Sequence, residues 1–170
     1  MNVQLRASKP SDLPFLREML YESVYWRSIA NATNPPFEDG LKAPGVWNAL
    51  VDWGEREGDI VVVALVDSQP AGAAWYRFYT EDNAIRGYIK DTIPALIIAV
   101  HRDYRRQGIG KQLLEWLIEH ASPRTVQHIS LMVSKDNHAI HLYRSCGFLD
   151  YAENEDSLVM LRVVNAVQSP

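Results

Sequence analysis

A stretch of glycines and basic side chains able to bind an anion follows an apolar run in the middle of the chain. Residues 97–100 read Ile-Ile-Ala-Val, and residues 101–111 read His-Arg-Asp-Tyr-Arg-Arg-Gln-Gly-Ile-Gly-Lys. The apolar run is typical of a strand buried on both faces, and the amphipathic pattern after the glycines predicts a helix. Glycine allows close backbone approach, and a helix start offers unpaired N–H groups at the positive end of its dipole. We therefore expect a phosphate or pyrophosphate site at this junction.

Two nucleotide-binding motifs do not fit this stretch. A P-loop needs a glycine five residues before its Gly-Lys pair and a Ser or Thr after it. Those places hold Arg105 and Gln112. A dinucleotide-binding fingerprint needs a third small residue after Gly108 and Gly110, and Leu113 occupies that place. The anion site is therefore expected to belong to another class.

Arg105, Gly108 and Gly110 match the spacing R-x-x-G-x-G directly after the strand. In these residues the chain resembles the GNAT superfamily of acyl-CoA-dependent N-acyltransferases, whose signature is Q/R-x-x-G-x-G/A at such a junction. Residues 139–148 read Ala-Ile-His-Leu-Tyr-Arg-Ser-Cys-Gly-Phe, and they match every fixed letter of a second family pattern, A-x-x-L-Y-x-x-x-G-F. The resemblance is strongest over residues 94–151, where the two patterns occur in the family's order.

The resemblance implies that acetyl-CoA is the cosubstrate and that backbone amides of the turn hold its pyrophosphate. It also implies that two parallel strands splay apart to admit the pantetheine, whose amides pair with strand backbone near Ala99 and Val100. A backbone N–H near Val100 would polarise the thioester carbonyl. The residues expected to bind acetyl-CoA are Ala99, Val100, Arg105, Arg106, Gln107, Gly108, Ile109, Gly110, Lys111 and Asn137.

Asn137 enters that set despite a departure from the family pattern. The asparagine of the family usually lies seven residues before the tyrosine of the second pattern, which is Tyr143 here. This chain has Asp136 at that place and Asn137 one residue later. Asn137 reaches the pantetheine if the following helix begins one residue late. Asp136 or Asn137 is expected to cap that helix.

Tyr143 is the expected catalytic residue. In the GNAT superfamily, which the chain resembles, this tyrosine is often placed to protonate the departing thiolate. A phenol of pKa ~10 can donate a proton to a thiolate whose conjugate acid has a pKa of ~8.5. The attacking amine must also lose a proton, and many GNAT enzymes use a carboxylate on or beside the central strand. Residues 96–100 contain none. The candidates near the strand are Glu81, Asp82, Asp91 and His101, and none of them is assigned as the base.

The resemblance implies an N-acetyltransferase that acetylates a primary amine by direct attack in a ternary complex. A loop-rich segment with six aromatic residues suggests a closed pocket for a small molecule; these are Tyr21, Tyr25, Trp26, Phe37, Trp47 and Trp53. One alternative acceptor is a protein N-terminus or lysine. A second alternative is a non-catalytic acyl-CoA-binding sensor, which the missing strand carboxylate favours and Tyr143 disfavours.

The hydrophobic patterns along the chain predict one α/β domain over residues 1–170. They predict strands at 3–7, 60–66, 71–79, 96–100, 129–133, 148–151 and 157–164. They also predict a turn at 67–70. The predicted helices are one that begins at residue 13, one over 46–56, one over 108–121 and one that ends before Gly147. The resemblance implies the GNAT fold. That fold has a central mixed, mostly antiparallel sheet of about six to seven strands, flanked by about four helices, with one splayed parallel pair.

Composition narrows the class of protein further. The chain has 170 residues, 47% of them apolar and 22% charged, and no apolar run approaches the ~20 residues of a membrane helix. The first residues do not resemble a signal peptide, and the lone Cys146 fits a reducing compartment, so we expect a cytoplasmic monomer or homodimer. A net charge of −4 argues against a nucleic-acid partner and mildly favours a cationic acceptor. No metal site is expected.

Overall fold

A seven-stranded sheet forms the centre of the structure, a computed structural model that describes residues 2–27, 34–122 and 124–165. The strands are β1 (Val3–Ala7), β2 (Ile60–Val66), β3 (Gln69–Arg77), β4 (Ala95–Val100), β5 (His128–Ser134), β6 (Leu149–Glu153) and β7 (Ser157–Val163). Their order is β1-β2-β3-β4-β5-β7-β6, and every neighbouring pair is antiparallel except β4 and β5. The mixed, mostly antiparallel sheet with one parallel pair is therefore confirmed.

Helices cover both faces of this sheet. The α-helices are α1 (Leu13–Val24), α2 (Phe37–Leu41), α3 (Ile109–Glu119) and α4 (Ala139–Ser145). Leu16 and Met19 of α1 are buried with alternate residues of β2, β3 and β4 on one face, and Leu113 and Leu117 of α3 are buried on the other face. The central strand β4 consequently contributes Ala95, Ile97 and Ala99 to the α1 face and Leu96, Ile98 and Val100 to the α3 face.

The predicted helix over residues 46–56 is wrong. Within that range only Trp47–Leu50 is helical, as a short 3₁₀ turn, while the unpredicted α2 lies upstream. Asp52 has a φ of 53° and Gly54 a φ of 83°, and residues in this left-handed region cannot continue a right-handed helix. Residues 46–56 therefore form a series of short turns instead of one helix.

The hairpin between β2 and β3 turns earlier than predicted. The expected turn covered residues 67–70, but β3 already begins at Gln69. Asp67 and Ser68 form the two-residue connection, with φ angles of 48° and 71°. Two consecutive left-handed residues match the twist of the flanking strands, which explains why the shorter turn wins.

Three further expectations from the sequence concern Cys146, membrane-spanning helices and metal sites. Cys146 is a buried free thiol, as expected for a core residue. No helix within residues 2–27, 34–122 and 124–165 is long and apolar enough to cross a membrane. The same residues contain no group of three or more His, Cys, Asp or Glu side chains arranged to hold a metal ion.

A buried arginine links the turns at residues 46–56 to the sheet. Arg77, at the end of β3, is fully buried, and its Nε donates to Asp59 Oδ2 at 2.8 Å. Its terminal nitrogens donate to the carbonyl oxygens of Ala49 at 3.0 Å and Val51 at 2.8 Å. The Asp59 side chain is only 9% exposed. Burial raises the pKa of Asp59, and Arg77 acts against that rise.

We expect Arg77→Met to lower the free energy of unfolding by about 3–5 kcal/mol, because it leaves the buried carboxyl of Asp59 unpaired and removes the bonds to the carbonyls of Val51 and Asp52. Without Arg77 the pKa of Asp59 rises further in the folded state, so the folded variant binds more protons than the unfolded one. The deficit against wild type therefore grows as the pH rises through the range between the two folded-state pKa values of Asp59. Arg144→Met breaks an ion pair whose two side chains are 50% and 48% exposed, and it should cost less than about 1 kcal/mol. Urea unfolding checks both values, and equal losses would contradict the role of Arg77.

Candidate active site

The turn between β4 and α3 presents six consecutive backbone N–H groups, from Arg106 to Lys111, with no backbone acceptor in the described part of the chain. The N–H of Arg105 before it is bonded, and that of Gln112 after it donates to Gly108 O at 3.2 Å. Arg106 has a φ of 61° and Gly108 a φ of 80°. Left-handed residues in such a turn typically form an anion-binding concavity. Together with the start of an 11-residue helix, this arrangement suits a pyrophosphate.

The two glycines of the turn are needed for different reasons. A Cβ at Gly108 would meet nothing within 4 Å, so its left-handed backbone rather than its size calls for glycine. A Cβ at Gly110 would lie 3.1 Å from Leu142 Cδ2 and 3.9 Å from Val100 Cγ2. Gly110 therefore lets α3 begin close against α4 and β4.

Arg105 ties three elements together beneath this turn. Its Nε donates to Val100 O at 3.0 Å, and its guanidinium also donates to Glu22 Oε2 at 2.7 Å and Trp26 O at 3.5 Å. These bonds join the end of β4 to the end of α1. The sequence pattern predicts Arg105 but gives no signal for Glu22, because the pairing depends on where α1 packs.

The parallel strands β4 and β5 separate after a single ladder position. Ala95 pairs with Ser130, and the N–H of Ser130 also donates to Pro94 O at 3.0 Å. Beyond this point residues 96–100 and 131–134 line opposite walls of a cavity of about 680 Å³. The expected splay is confirmed. It also explains why Ile98 and Val100 are only partly buried, although the sequence predicted a strand buried on both faces.

Backbone N–H groups of β4 point into the gap left by the splay. His101 donates to Ala71 O, next to β3, at 2.8 Å. Because N–H directions alternate along a strand, the N–H groups of Val100 and Ile98 face the side where β5 has moved away. The polar backbone groups of Ala99 face β3, so Ala99 lines the cavity through its side chain. Backbone pairing with a ligand in the gap therefore involves Ile98 and Val100.

Tyr143 lines the same cavity from α4. The residue is 8% exposed, and its ring meets Phe148 edge-on with 6.1 Å between centroids. Among residues 2–27, 34–122 and 124–165, no group accepts a hydrogen bond from its hydroxyl. Burial raises the pKa of Tyr143, so its phenol keeps its proton at neutral pH. The residue is thus an available proton donor at the cavity wall.

Asn137 and Asp136 have different roles beside α4. Asn137 Oδ1 accepts from the N–H of Ala139 at 2.9 Å, although His138 holds the N-cap position of α4, and Asn137 also lines the cavity. Asp136 instead accepts from the Arg27 guanidinium, with distances of 2.7, 3.0 and 3.2 Å. Arg27 lowers the pKa of Asp136 by hydrogen bonding. The structure shows the later start of α4. Asn137, and not Asp136, is the residue that lines the cavity.

The predicted site residues largely come together. All of them line the cavity except Gln107, whose Nε2 donates to Asp103 O at 3.3 Å. None of the candidates Glu81, Asp82, Asp91 and His101 lines it. In the described chain the cavity's carboxylate is Glu22, which already accepts from two arginines. No carboxylate of the described cavity wall is therefore free to take the proton of an attacking amine.

The aromatic segment contributes less to the cavity than expected. Of its six aromatic side chains, Trp26 lines the cavity and the other five do not. Trp47 is 53% exposed, and the ring of Tyr21 packs at a tilt against Tyr25 and Phe37, with centroid distances of 4.7 and 5.4 Å. The inference of a closed pocket walled by aromatic rings is not supported by this arrangement.

A family model described as the acetyltransferase (GNAT) family matches residues 26–148. The chain is 44% identical over 66 residues to the ribosomal protein bS18 alanine N-acetyltransferase of Escherichia coli (strain K12), a match covering 38% of this chain and 45% of that protein. The chain thus spans about half the length of the curated relatives it matches.

Two solved structures extend the likeness over nearly the whole chain. The ribosomal-protein-alanine N-acetyltransferase of Brucella melitensis has a TM-score of 0.66 and 26% identity, covering 94% of this chain and 99% of that one. The PaiA N-acetyltransferase of Thermoplasma acidophilum, solved with coenzyme A, has a TM-score of 0.68 and 16% identity, covering 96% and 99%. At 16% identity the second likeness is one of fold.

Proposed function

This chain belongs to the acetyltransferase (GNAT) family, and we propose that it transfers an acetyl group from acetyl-CoA to a primary amine by direct attack in a ternary complex. The observation that carries this proposal is a single cavity that joins an anion-binding turn, a splayed strand pair and a protonated tyrosine. Acetyl-CoA supplies the acetyl group as a thioester when it is bound. The anion-binding turn suits the pyrophosphate of such a ligand, and the gap between β4 and β5 suits its pantetheine arm.

Each wall of the cavity has a task in this proposal. The N–H groups from Arg106 to Lys111 hold the pyrophosphate, with Lys111 at the start of α3. The N–H groups of Ile98 and Val100 pair with the pantetheine arm and donate to the thioester carbonyl, which stabilises negative charge on its oxygen. Tyr143 holds the proton that the departing sulfur takes up, and Asn137 contributes its polar side chain beside the arm.

The amine loses its proton to water rather than to a carboxylate of the described cavity wall. Glu22 is bonded to Arg102 and Arg105, and β4 has no carboxylate. The reaction is therefore expected to speed up with rising pH until the amine itself is deprotonated, because only the neutral amine attacks.

A small molecule is the first candidate for the acceptor. The cavity of about 680 Å³ lies within the range of small-molecule sites, which is roughly 300–1,000 Å³, and the cosubstrate's arm takes part of it. A protein N-terminus is the second candidate. It is favoured by the relatives from Escherichia coli and Brucella melitensis, whose names specify alanine of a ribosomal protein.

An acceptor screen with acetyl-CoA tests the proposed function. Thiol release is measured with a panel of small primary amines, with peptides that have a free N-terminus, and with N-blocked peptides that carry one lysine. We expect release with small amines. Release confined to either peptide group would replace the small-molecule acceptor by a protein one. Binding of acetyl-CoA with no release above background for any amine would point instead to a non-catalytic sensor.

A further inference from the structure

Outside the anion-binding turn, one guanidinium at the cavity wall has no partner within residues 2–27, 34–122 and 124–165. Arg86 lines the cavity, is exposed, and makes no ion pair or hydrogen bond through its side chain there. Most other cavity cations are paired. Their pairs are Arg27 with Asp136 at 2.7 Å, Arg105 with Glu22 at 2.7 Å and Lys111 with Glu115 at 3.6 Å. Arg106 also lacks a partner, but it belongs to the anion-binding turn.

The main chain before Arg86 is held in place by a buried side chain. Asn48 is 5% exposed, and its Nδ2 donates to Asn83 O at 2.6 Å and Ala84 O at 3.0 Å. Ile85 follows and is buried against the α1 face of the sheet. The approach to Arg86 is therefore fixed by contacts that do not involve its own side chain.

The main chain after Arg86 is pressed against β5. Ser130 Oγ donates to Gly87 O at 2.8 Å, and Ser130 is fully buried. Gly87 has a φ of 91°, and a Cβ there would lie 2.8 Å from Met132 N and 2.9 Å from Leu131 C. Only glycine allows this approach, so the loop is locked beside β5 and presents Arg86 at a fixed place.

That place is at the closed end of the splay, away from the anion-binding turn. Ser130 forms the single ladder position with Ala95, whereas the turn follows Val100 at the other end of β4. An extended strand from Ala95 to Val100 spans roughly 16 Å. Arg86 is thus not placed to share the phosphates that the turn would hold, and it faces the part of the cavity left for the acceptor.

The charges at this wall select for a particular acceptor. A polycationic amine would find no free carboxylate among the described residues of the cavity wall, because Glu22 is bonded to two arginines. A carboxylate would find in Arg86 a planar donor pair for two parallel hydrogen bonds. We propose that Arg86 binds a carboxylate on the acceptor, which is therefore a primary amine that also carries a carboxylate. This inference rests on the proposed function and specifies its substrate class.

The test compares acceptors that differ only in that carboxylate. The first comparison uses α-amino acids with uncharged side chains and their carboxamides. The second uses tripeptide amides with a free N-terminus and either Glu or Gln at the second position. For wild type we expect kcat/KM to be at least ~10-fold higher for the carboxylate member of one pair. Arg86→Gln should lower that value ~10-fold to 100-fold, chiefly by raising KM, and should leave the neutral member within about twofold.

Matched variants separate a charge contact from a structural effect. Arg86→Lys keeps the charge and should retain part of the preference, whereas Lys90→Gln removes a positive charge from the same loop outside the cavity and should change neither member. The affinity for acetyl-CoA should be the same in all three variants.

Each outcome of this test has a defined reading. A preference within the amino-acid pair identifies a small acceptor, and one within the tripeptide pair identifies an acidic N-terminal segment; either supports the inference. Thiol release without a carboxylate preference, or an equal loss for both members in Arg86→Gln, overturns it while the proposed function stands. No release with any amine overturns the proposed function itself.

Discussion

Gly108→Glu is expected to weaken the binding of acetyl-CoA by at least ~100-fold. The substitution forces a side chain onto a residue with a φ of 80°, which costs about 1–2 kcal/mol and favours a rearranged turn. It also places a carboxylate among the six N–H groups that would hold the pyrophosphate, and facing like charges typically cost several kcal/mol. Equilibrium titration with acetyl-CoA measures the loss.

Gly54→Glu is the matched control for this prediction. Gly54 has a φ of 83°, is exposed, and would have no atom within 4 Å of an added Cβ, as at Gly108. The two variants should therefore lose a similar free energy of unfolding, while Gly54→Glu keeps the wild-type dissociation constant. If both variants bind acetyl-CoA equally well, the turn after β4 does not hold the pyrophosphate.

The glycine spacing allowed the anion-binding turn to be predicted because its physics is local. Arg106, Gly108 and the start of α3 lie within a few residues of one another, so the pattern in the sequence carries the geometry. The same holds for Asn137 and α4, where the side-chain hydrogen bond involves a neighbour two residues away. At these two places the local hydrogen bonds and backbone angles could be recovered from the sequence.

Contacts between distant segments could not be predicted in this way. Arg105 and Glu22 are 83 positions apart, and Arg86 becomes a cavity residue because Gly87 packs on Met132. The net charge of −4 hinted at a cationic acceptor, but the charge at one wall of a cavity is set by which side chains pair there. A whole-chain sum therefore has little bearing on that wall.

The aromatic residues show a further limit of composition. Aromatic residues scattered over a loop-rich segment predict that their rings are buried. The sequence does not show which residues these rings pack against. Tyr21, Tyr25 and Phe37 pack on one another, while Trp26 reaches the cavity. The left-handed Asp52 likewise ended a helix that hydrophobic spacing alone had suggested.

Tyr143→Phe is expected to slow acetyl transfer in a single turnover by ~100-fold or more, because it removes the proton donor for the departing sulfur. The dissociation constant of acetyl-CoA should stay close to wild type, since the ring and its contact with Phe148 remain. Burial raises the pKa of Tyr143, so its proton is lost at a higher pH than that of an exposed tyrosine. The wild-type rate should therefore not fall where an exposed phenol ionises, near pH ~10.

Tyr76→Phe provides the comparison for this loss. Tyr76 is fully buried, and its hydroxyl has no partner in the described part of the chain. Burial raises the pKa of Tyr76 to about 12, yet the residue does not line the cavity. Removing its hydroxyl should leave the single-turnover rate unchanged and cost no stability, because no hydrogen bond is lost. A rate for Tyr143→Phe equal to that of Tyr76→Phe across the pH range would mean that the sulfur takes its proton from water. The cavity would then work through the backbone groups of β4 and the turn alone.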